Sequence, residues 1–192
     1  MKSLSKNLIG VVVVVALASS LVVLAGCSSS GGSSSSAAES STSSSSEQIA
    51  NPWSDVASAA EAAKGAGLDA FALPEGAIAD MGEPIAIHYR CMDGMAEAII
   101  EFPAAQITAR TAKVADGDSL DISGDYNSYS KEWTETIGDE SVSCAGNRDG
   151  ESIKTYWGGD GIAHSLVAEG LGGDDDFGVT LDRLTVFVEG MK

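Results

Sequence analysis

Short runs of alternating apolar and polar residues dominate the chain from Pro74 onward. Alternation with a period of two is the pattern of a half-buried strand. It predicts seven strands, at residues 84–91, 95–102, 105–114, 132–137, 141–145, 151–157 and 162–168. The turns between them are rich in glycine, aspartate and asparagine, which tolerate a positive φ and favour tight hairpins. Successive short hairpins predict an antiparallel meander of about six to seven strands.

Two other segments carry helical spacing, one before this strand-rich region and one after it. Following Pro52, Ser54 is predicted as the N-cap of a helix that runs to about Lys64 and ends at Gly65. Its predicted buried stripe consists of Val56, Ala59, Ala60 and Ala63.

The C-terminal segment is also predicted to be helical, with Thr180 as its N-cap. Its apolar residues recur at helical spacing, at Leu181, Leu184, Val188 and Met191. The β-prone stretch 185–188 inside it favours a strand instead. A sheet with one apolar face must have that face covered, and two helices are available. We therefore predict an α+β fold, a curved antiparallel sheet covered by an N-terminal and a C-terminal helix.

The beginning of the chain follows a different pattern. Lys2 and Lys6 precede an uncharged apolar run at 8–26, which is the layout of a secretory signal peptide. The sequence Leu24-Ala25-Gly26-Cys27 resembles the lipobox of bacterial lipoproteins. That resemblance implies that residues 1–26 are cleaved off and that the Cys27 sulfur carries diacylglycerol.

The alternative is an uncleaved transmembrane anchor, because a run of about 19 apolar residues can span a bilayer. That alternative leaves Cys27 without a role, and no cytoplasm-type charge cluster follows the run. Residues 27–47 are mostly serine and glycine and predict a flexible tether, with a reach on the order of 25 Å. Both interpretations place the rest of the chain outside the cytoplasm, and we expect it on the extracytoplasmic face of the cell membrane.

The remaining residues, 48–192, suffice for a single globular domain with one core. The whole chain has 11 basic and 28 acidic residues and a net charge of −17. Cleavage would remove Lys2 and Lys6 but no acidic residue, which leaves nine basic residues and a net charge of −19. So acidic a surface repels nucleic acid, and we expect none to bind. The acidity is compatible with cationic partners, but it also keeps a protein soluble. We favour the solubility explanation.

Cys91 and Cys144 form an even pair once Cys27 is assigned to the lipid. Alternation places both on the inward face of their strands, in a compartment where disulfides persist. We therefore predict a Cys91–Cys144 disulfide, which would stabilise the fold by a few kcal/mol. The alternative is two buried free thiols that behave as small apolar side chains.

Two motifs and the short terminal helix resemble a domain of unknown function found in secreted lipoproteins of Gram-positive bacteria. The motifs are "ISGDYNSY" at 122–129 and "YWGGDGIAHSL" at 156–166. A similar domain forms the extracellular end of some anti-sigma factors. The resemblance spans roughly residues 51–192 and extends faintly to the half-barrels of lipoprotein carriers, but it implies no particular activity. The chain departs from the family's pattern in "VADGDSLD" at 114–121 and in its cysteine pair.

Nucleophilic catalysis needs a base beside its nucleophile, and the chain has only two histidines. His88 alternates onto the polar side of its strand, whereas His164 shares a face with Ile162 and Leu166. Because His88 and Cys91 are three positions apart, they point to opposite faces and cannot pair. The sequence contains no Gly-x-Ser-x-Gly, His-Glu-x-x-His or Cys-x-x-Cys motif. We therefore expect no catalytic residues and no enzyme activity.

Two acidic stretches invite comparison with calcium sites. Residues 116–125 begin like an EF-hand loop, but Leu120 occupies a ligand position and Asp121 stands where glycine is needed. The carboxylates at 174–176 are more simply a favourable charge before the C-terminal helix. We therefore predict no metal site and no cofactor.

Several aromatic residues could line a pocket or form cross-strand pairs within the sheet: Tyr126, Tyr129, Trp133, Tyr156 and Trp157. Alternation assigns Trp157 to the core, and no ligand-binding site is assigned. The sequence favours a monomeric, noncatalytic interaction or sensing module, anchored in the membrane by its diacylglyceryl group and bound to an envelope protein or wall component. The alternative is a carrier of an apolar ligand or lipid in a half-barrel-like concavity.

Overall fold

The computed structural model describes residues 51–171 and 177–191. Its helices are α1 (Ala59–Ala66), α2 (Glu75–Asp80) and α3 (Leu181–Gly190). Its strands are β1 (Ser54–Val56), β2 (Ala86–Met92), β3 (Met95–Glu101), β4 (Ala105–Lys113), β5 (Lys131–Ile137), β6 (Glu140–Gly146), β7 (Glu151–Ser152), β8 (Lys154–Gly159), β9 (Ile162–Gly170) and β10 (Val179–Thr180). Eight of these strands form one antiparallel sheet, so the protein is α+β as predicted.

The strand order of the large sheet differs from a simple meander. The order is β1-β2-β3-β4-β9-β8-β6-β5, and every neighbouring pair is antiparallel. Two runs of hairpins, β2–β3–β4 and β5–β6–β8–β9, meet where β4 pairs with β9. The segment 114–130, here named the crossover, therefore carries the chain from the middle of the sheet to β5 at its far edge. The predicted meander is wrong in this respect, because short turns identify hairpins but not which run of hairpins lies beside which.

The predicted strands otherwise match the observed ones closely. Strands β2, β3, β4, β5, β6 and β9 begin and end within about two residues of their predicted bounds. The predicted strand 151–157 is divided at Ile153. Before that residue, Ser152 of β7 pairs with Val179 of β10, and after it Lys154 of β8 pairs with Val167.

The N-terminal helix begins later than predicted. Ser54 lies in β1 and pairs with Cys91, whereas the N-cap of α1 is Ser58. The Ser58 hydroxyl accepts a hydrogen bond from the Glu61 N–H at 3.2 Å, and the Glu61 carboxylate accepts one from the Ala57 N–H at 2.8 Å. Ser58 and Glu61 have the Ser-x-x-Glu sequence of a capping box, with the carboxylate bound to the N–H one residue before the N-cap. Ser54 lacks a glutamate three residues on, so the later start is the stronger signal.

The same helix also ends two residues later than predicted. Gly67 adopts a φ of +67°, and its N–H donates to the carbonyls of Ala63 and Lys64. Gly65, the predicted end, lies inside the helix. A Cβ at Gly65 would lie 2.3 Å from the Cys91 sulfur, so the glycine lets α1 approach β2 closely.

The C-terminal helix is confirmed at its predicted place. It begins after Thr180, although the Thr180 hydroxyl makes no capping hydrogen bond. Leu184, Phe187 and Val188 are buried, whereas Leu181 of the predicted stripe is 42% exposed. The β-prone stretch is accommodated because helical spacing directs Phe187 and Val188 to the core and Val186 to solvent.

The large sheet has two chemically distinct faces. The apolar face carries mainly small and aliphatic side chains, among them Cys91, Ala98, Ala109, Leu166 and Cys144. α1 contacts β2 and β3, and residues of all three helices join these side chains in one buried cluster. The polar face carries the alternate positions, among them Arg90, Glu97, Arg110 and Ser165.

The predicted disulfide is not formed, because Cys91 and Cys144 are buried free thiols. Cys91 lies in β2 and Cys144 in β6, with four strands between them. Five interstrand steps of about 4.8 Å place them on the order of 24 Å apart, whereas a disulfide needs Cα atoms within about 7 Å. Burial raises the pKa of the Cys144 thiol, which keeps it neutral. The alternative of two small buried thiols is confirmed. Alternation predicts the face of the sheet on which each cysteine lies, but not the number of strands between them.

Candidate functional site

A cavity of about 760 Å³, here named the α1 cavity, lies between α1, β2 and the segment that joins α1 to α2. Its walls are mainly apolar, with alanines from α1 and with Leu68, Phe71, Ile78 and Ile87. The volume falls within the range of about 300–1,000 Å³ that is usual for small-molecule sites. The α1 cavity is therefore the first candidate for a ligand site.

The small side chains of α1 create this space. Ala59, Ala60 and Ala63 line the cavity, and each ends at its Cβ atom. Further along the helix, Gly65 brings α1 against Cys91. α1 contacts β2 and β3 and buries Ala62 and Ala66, whereas the exposed Ala60 lies on the side that borders the cavity. Alanine is also the strongest helix former, so the same residues favour the helix and leave the space.

Polar groups in the α1 cavity are few. Lys64, Asp69 and Glu75 line it with solvent-exposed side chains. Tyr89 lines it from β2 and is half-buried, and burial raises the pKa of its phenol. Tyr89 is therefore an uncharged hydrogen-bonding group in an apolar wall. Such a site can hold an apolar body and orient it by one or two polar contacts.

A second cavity, of about 450 Å³, surrounds His164. The segment Leu68, Asp69 and Ala70 lines both cavities and so stands between them. The His164 cavity also contains Lys113 and Asp160, so it is more polar than the α1 cavity.

His164 is buried on the apolar face, as its alternation predicts. Its Nδ1 lies 3.0 Å from the Thr111 hydroxyl, and its ring stacks on Trp157 with centroids 5.3 Å apart. Burial lowers the pKa of His164 to about 4, so the imidazole is neutral at pH 7. A neutral imidazole held by one hydroxyl and stacked on one indole is a packed core group. No carboxylate is hydrogen-bonded to it among the described residues.

His88 lies where alternation predicts, exposed on the polar face. Its Nε2 is 3.5 Å from a Glu101 carboxylate oxygen, and both side chains are exposed. Cys91 points to the apolar face and is buried. The structure therefore does not bring His88 and Cys91 together as a pair.

Sequence reasoning missed a buried ionic cluster on the polar face. The Glu97 side chain is fully buried, and its two carboxylate oxygens accept hydrogen bonds from the Nε atoms of Arg90 and Arg110, the latter at 2.6 Å. The Trp53 ring lies over both guanidinium groups, 4.6 Å from that of Arg90 and 5.9 Å from that of Arg110. The sequence contains one indication of this ion pair. The two-residue turn Asp93-Gly94 sets the hairpin register in which Arg90 lies opposite Glu97.

The Arg110 guanidinium also fixes the crossover to the polar face. Its Nη1 donates to the carbonyl of Ile122 at 3.1 Å and to that of Ser123. Further along, the Lys154 ammonium lies 3.2 Å from the Asp121 carboxylate. The motif "ISGDYNSY" at 122–129 thus lies across the polar face, where Arg110 of β4 and Lys154 of β8 hold the crossover in place.

The acidic residues of the crossover act as local hydrogen-bond acceptors. Asp118 accepts from the Ala115 N–H at 3.3 Å, and Asp121 accepts from the Ser123 N–H at 3.1 Å. Burial raises the pKa of Asp121, but the hydrogen bonds from Ser123 and the nearby Lys154 outweigh it, so the net pKa lies below its ordinary value. No group of three or more potential metal ligands occurs within 51–171 and 177–191.

The aromatic residues divide between the core and the surface. Trp157 is 1% exposed, as predicted, whereas Tyr126 is 95% exposed. Trp133 is half-buried beside Glu135, whose carboxylate accepts from the indole N–H at 3.0 Å. Tyr129 donates to the Asp125 carboxylate.

The predicted lipid attachment at Cys27, the signal peptide 1–26 and the carboxylates at 174–176 lie outside the described residues. None of the helices within 51–171 and 177–191 has both the length and the apolar composition of a membrane-spanning segment. The chain matches no protein-family model, no curated protein and no solved structure.

Proposed function

We propose that this protein is a noncatalytic binding module, held on the extracytoplasmic face of the cell membrane by a lipid on Cys27, and that its ligand is an apolar molecule such as a lipid. The layout of residues 1–27 supports the membrane attachment. The α1 cavity supports the choice of ligand, because its volume of about 760 Å³ and its apolar walls suit such a molecule.

We also propose that the large sheet is curved like a half-barrel, with α1 and α3 covering its apolar face. The contacts of α1 with β2 and β3 and of α3 with β5 support this arrangement. The α1 cavity would then be the space between a curved sheet and the first of these helices. An interaction with an envelope protein remains the second candidate, and the membrane tether supports it equally.

The anchor is tested by mass spectrometry and membrane fractionation of the protein made in a bacterium that processes lipoproteins. We expect a mature chain that begins at an acylated Cys27 and sediments with the membrane. A Cys27→Ser chain should carry no acyl mass, whereas the neighbouring control Ser30→Ala should be acylated like the wild type. A mature wild-type chain that retains residues 1–26, or one that lacks acyl groups, would contradict the proposal.

The ligand site is tested by native mass spectrometry of the lipoprotein released from nanodiscs. We expect an added mass on each folded chain, corresponding to one apolar molecule. Ala60→Phe should reduce the bound fraction by roughly tenfold, since the new ring occupies the cavity beside α1 and displaces ligand contacts worth about 1.4 kcal/mol.

The matched control is Ala79→Phe, which adds the same ring to an exposed position of α2 that does not line the α1 cavity. Its bound fraction should equal that of the wild type. If the two variants lose the added mass to the same extent, or if the wild type carries none, the α1 cavity is not the ligand site.

A further inference from the structure

A third cavity, here named the crossover cavity, has a volume of about 460 Å³ and lies where residues 127–129 of the crossover pass over β9. It shares no lining residue with the α1 cavity or with the His164 cavity. It contains part of the motif "ISGDYNSY", which does not line the α1 cavity and so takes no part in the proposed binding of an apolar molecule. The inference drawn from it therefore goes beyond the proposed function.

The crossover cavity is amphipathic. Its apolar lining comes from Ile153, Val167 and Ala168, each at most 8% exposed. Val167 lies on the polar face beneath the crossover, whereas the Ala168 side chain packs in the core on the apolar face. Its rim carries amide, hydroxyl and carboxylate groups, from Asn127, Ser128, Tyr129, Asn147 and Glu169. None of the described residues that line it is a lysine or an arginine.

Local hydrogen bonds hold the rim in place. Asp125 accepts from the Asn127 N–H at 2.9 Å and from the Tyr129 hydroxyl. The Ser130 N–H donates to the Asn147 side chain at 3.1 Å, which ties the crossover to the end of β6. A rim that is fixed before the ligand arrives loses less conformational entropy when it binds.

An aromatic ring stands next to this rim in the chain. Tyr126 is 95% exposed, the highest exposure of any large hydrophobic residue in the described ranges. Its neighbour Asn127 lines the cavity. An amphipathic ring in solvent is available for stacking, and tyrosine is enriched at binding hot spots.

We propose that the crossover cavity binds a neutral oligosaccharide. A pyranose ring has an apolar C–H face and a rim of hydroxyl groups, which matches an apolar lining surrounded by amide, hydroxyl and carboxylate groups. Amides and hydroxyls both donate and accept hydrogen bonds, as sugar hydroxyls require, and the Glu169 carboxylate accepts them. The stacking surface for a second sugar unit is Tyr126. Anionic glycans are disfavoured, because the lining has Glu169 and no cation and the whole chain has a net charge of −17.

The experiment uses the full lipoprotein in nanodiscs and isothermal titration with defined probes. The neutral probes are the tetramer of β-1,4-linked N-acetylglucosamine, cellotetraose and maltotetraose, and the anionic probe is a hyaluronan tetrasaccharide. We expect saturable binding of at least one neutral probe and none of the anionic one. Tyr126→Ala and Asn127→Ala should each weaken that binding by roughly tenfold.

The matched control is Ile85→Ala, which removes another exposed apolar side chain that does not line the crossover cavity. It should bind like the wild type, and thermal unfolding checks that all variants are folded. The proposal is overturned if no neutral probe binds at millimolar concentration, if the anionic probe binds more tightly, or if the cavity variants bind like Ile85→Ala. Ala60→Phe should leave sugar binding unchanged, so failure at one cavity is distinguishable from failure at the other.

Discussion

Replacing Glu97 with alanine is expected to destabilise the protein by about 3–5 kcal/mol, the usual cost of removing one partner from a buried ion pair. The Glu97 carboxylate is fully buried between Arg90 and Arg110. Without it, two guanidinium groups under the Trp53 ring would repel each other in a partly buried site. Urea denaturation, followed by the tryptophan fluorescence, measures the loss as a lower transition midpoint.

The same strand provides the matched control. Glu101 also lies on the polar face of β3, but its side chain is 41% exposed and its partner is the exposed His88. We expect Glu101→Ala to change the free energy of unfolding by less than about 0.5 kcal/mol. Equal losses from Glu97→Ala and Glu101→Ala would show that the buried cluster contributes no more than a surface pair.

A triple variant separates the cost of leaving two arginines unpaired from the contribution of the cluster as a whole. Replacing Arg90, Glu97 and Arg110 together with methionine removes every charge of the cluster and keeps its volume. Since apolar replacement of a whole buried ionic group is often neutral, we expect much of the lost stability to return. The crossover should then be less firmly held, because Arg110 also donates to the carbonyls of Ile122 and Ser123.

The sequence predicts the strands well because alternation and turn chemistry are local properties. Glu97 illustrates where such reasoning stops. Its strand and face follow from period two, but a charged residue in a strand of an acidic chain is ordinarily exposed. Only the pairing of β3 with both β2 and β4 places an arginine on each side of it.

The positions of the cysteines and of the cavities also depend on packing between segments that are distant in the chain. Cys91 and Cys144 were correctly assigned to one face, but their separation depends on the β4–β9 pairing between distant segments. The α1 cavity depends on how closely a helix approaches a sheet, which Gly65 sets at one end. The predicted buried stripe of the first helix is correct only at Ala63, because Ala60 is exposed and Val56 lies in β1. The space beside α1 therefore becomes visible only when the packing is known.

Acidification from pH 6.5 to pH 4 is expected to remove about 3 kcal/mol of stability through His164 alone. Burial lowers the pKa of His164 from 6.5 to about 4 in the folded protein. Between these values the unfolded chain binds a proton on this residue and the folded chain does not, so the free energy of unfolding falls as the pH falls. Well above pH 6.5 both states are neutral at this residue, and it contributes no pH dependence.

The measurement is the free energy of unfolding at several pH values between 4 and 7, compared between the wild type and His164→Gln. The variant loses the contact with Thr111 and the stacking on Trp157 at every pH, but its dependence on pH in this range should be flatter. His88→Gln is the control, because it replaces the other histidine of the chain at an exposed position. A titration of His164 near pH 6.5, followed by NMR in the folded protein, would contradict the prediction, because the imidazole would then be charged at no cost to the fold.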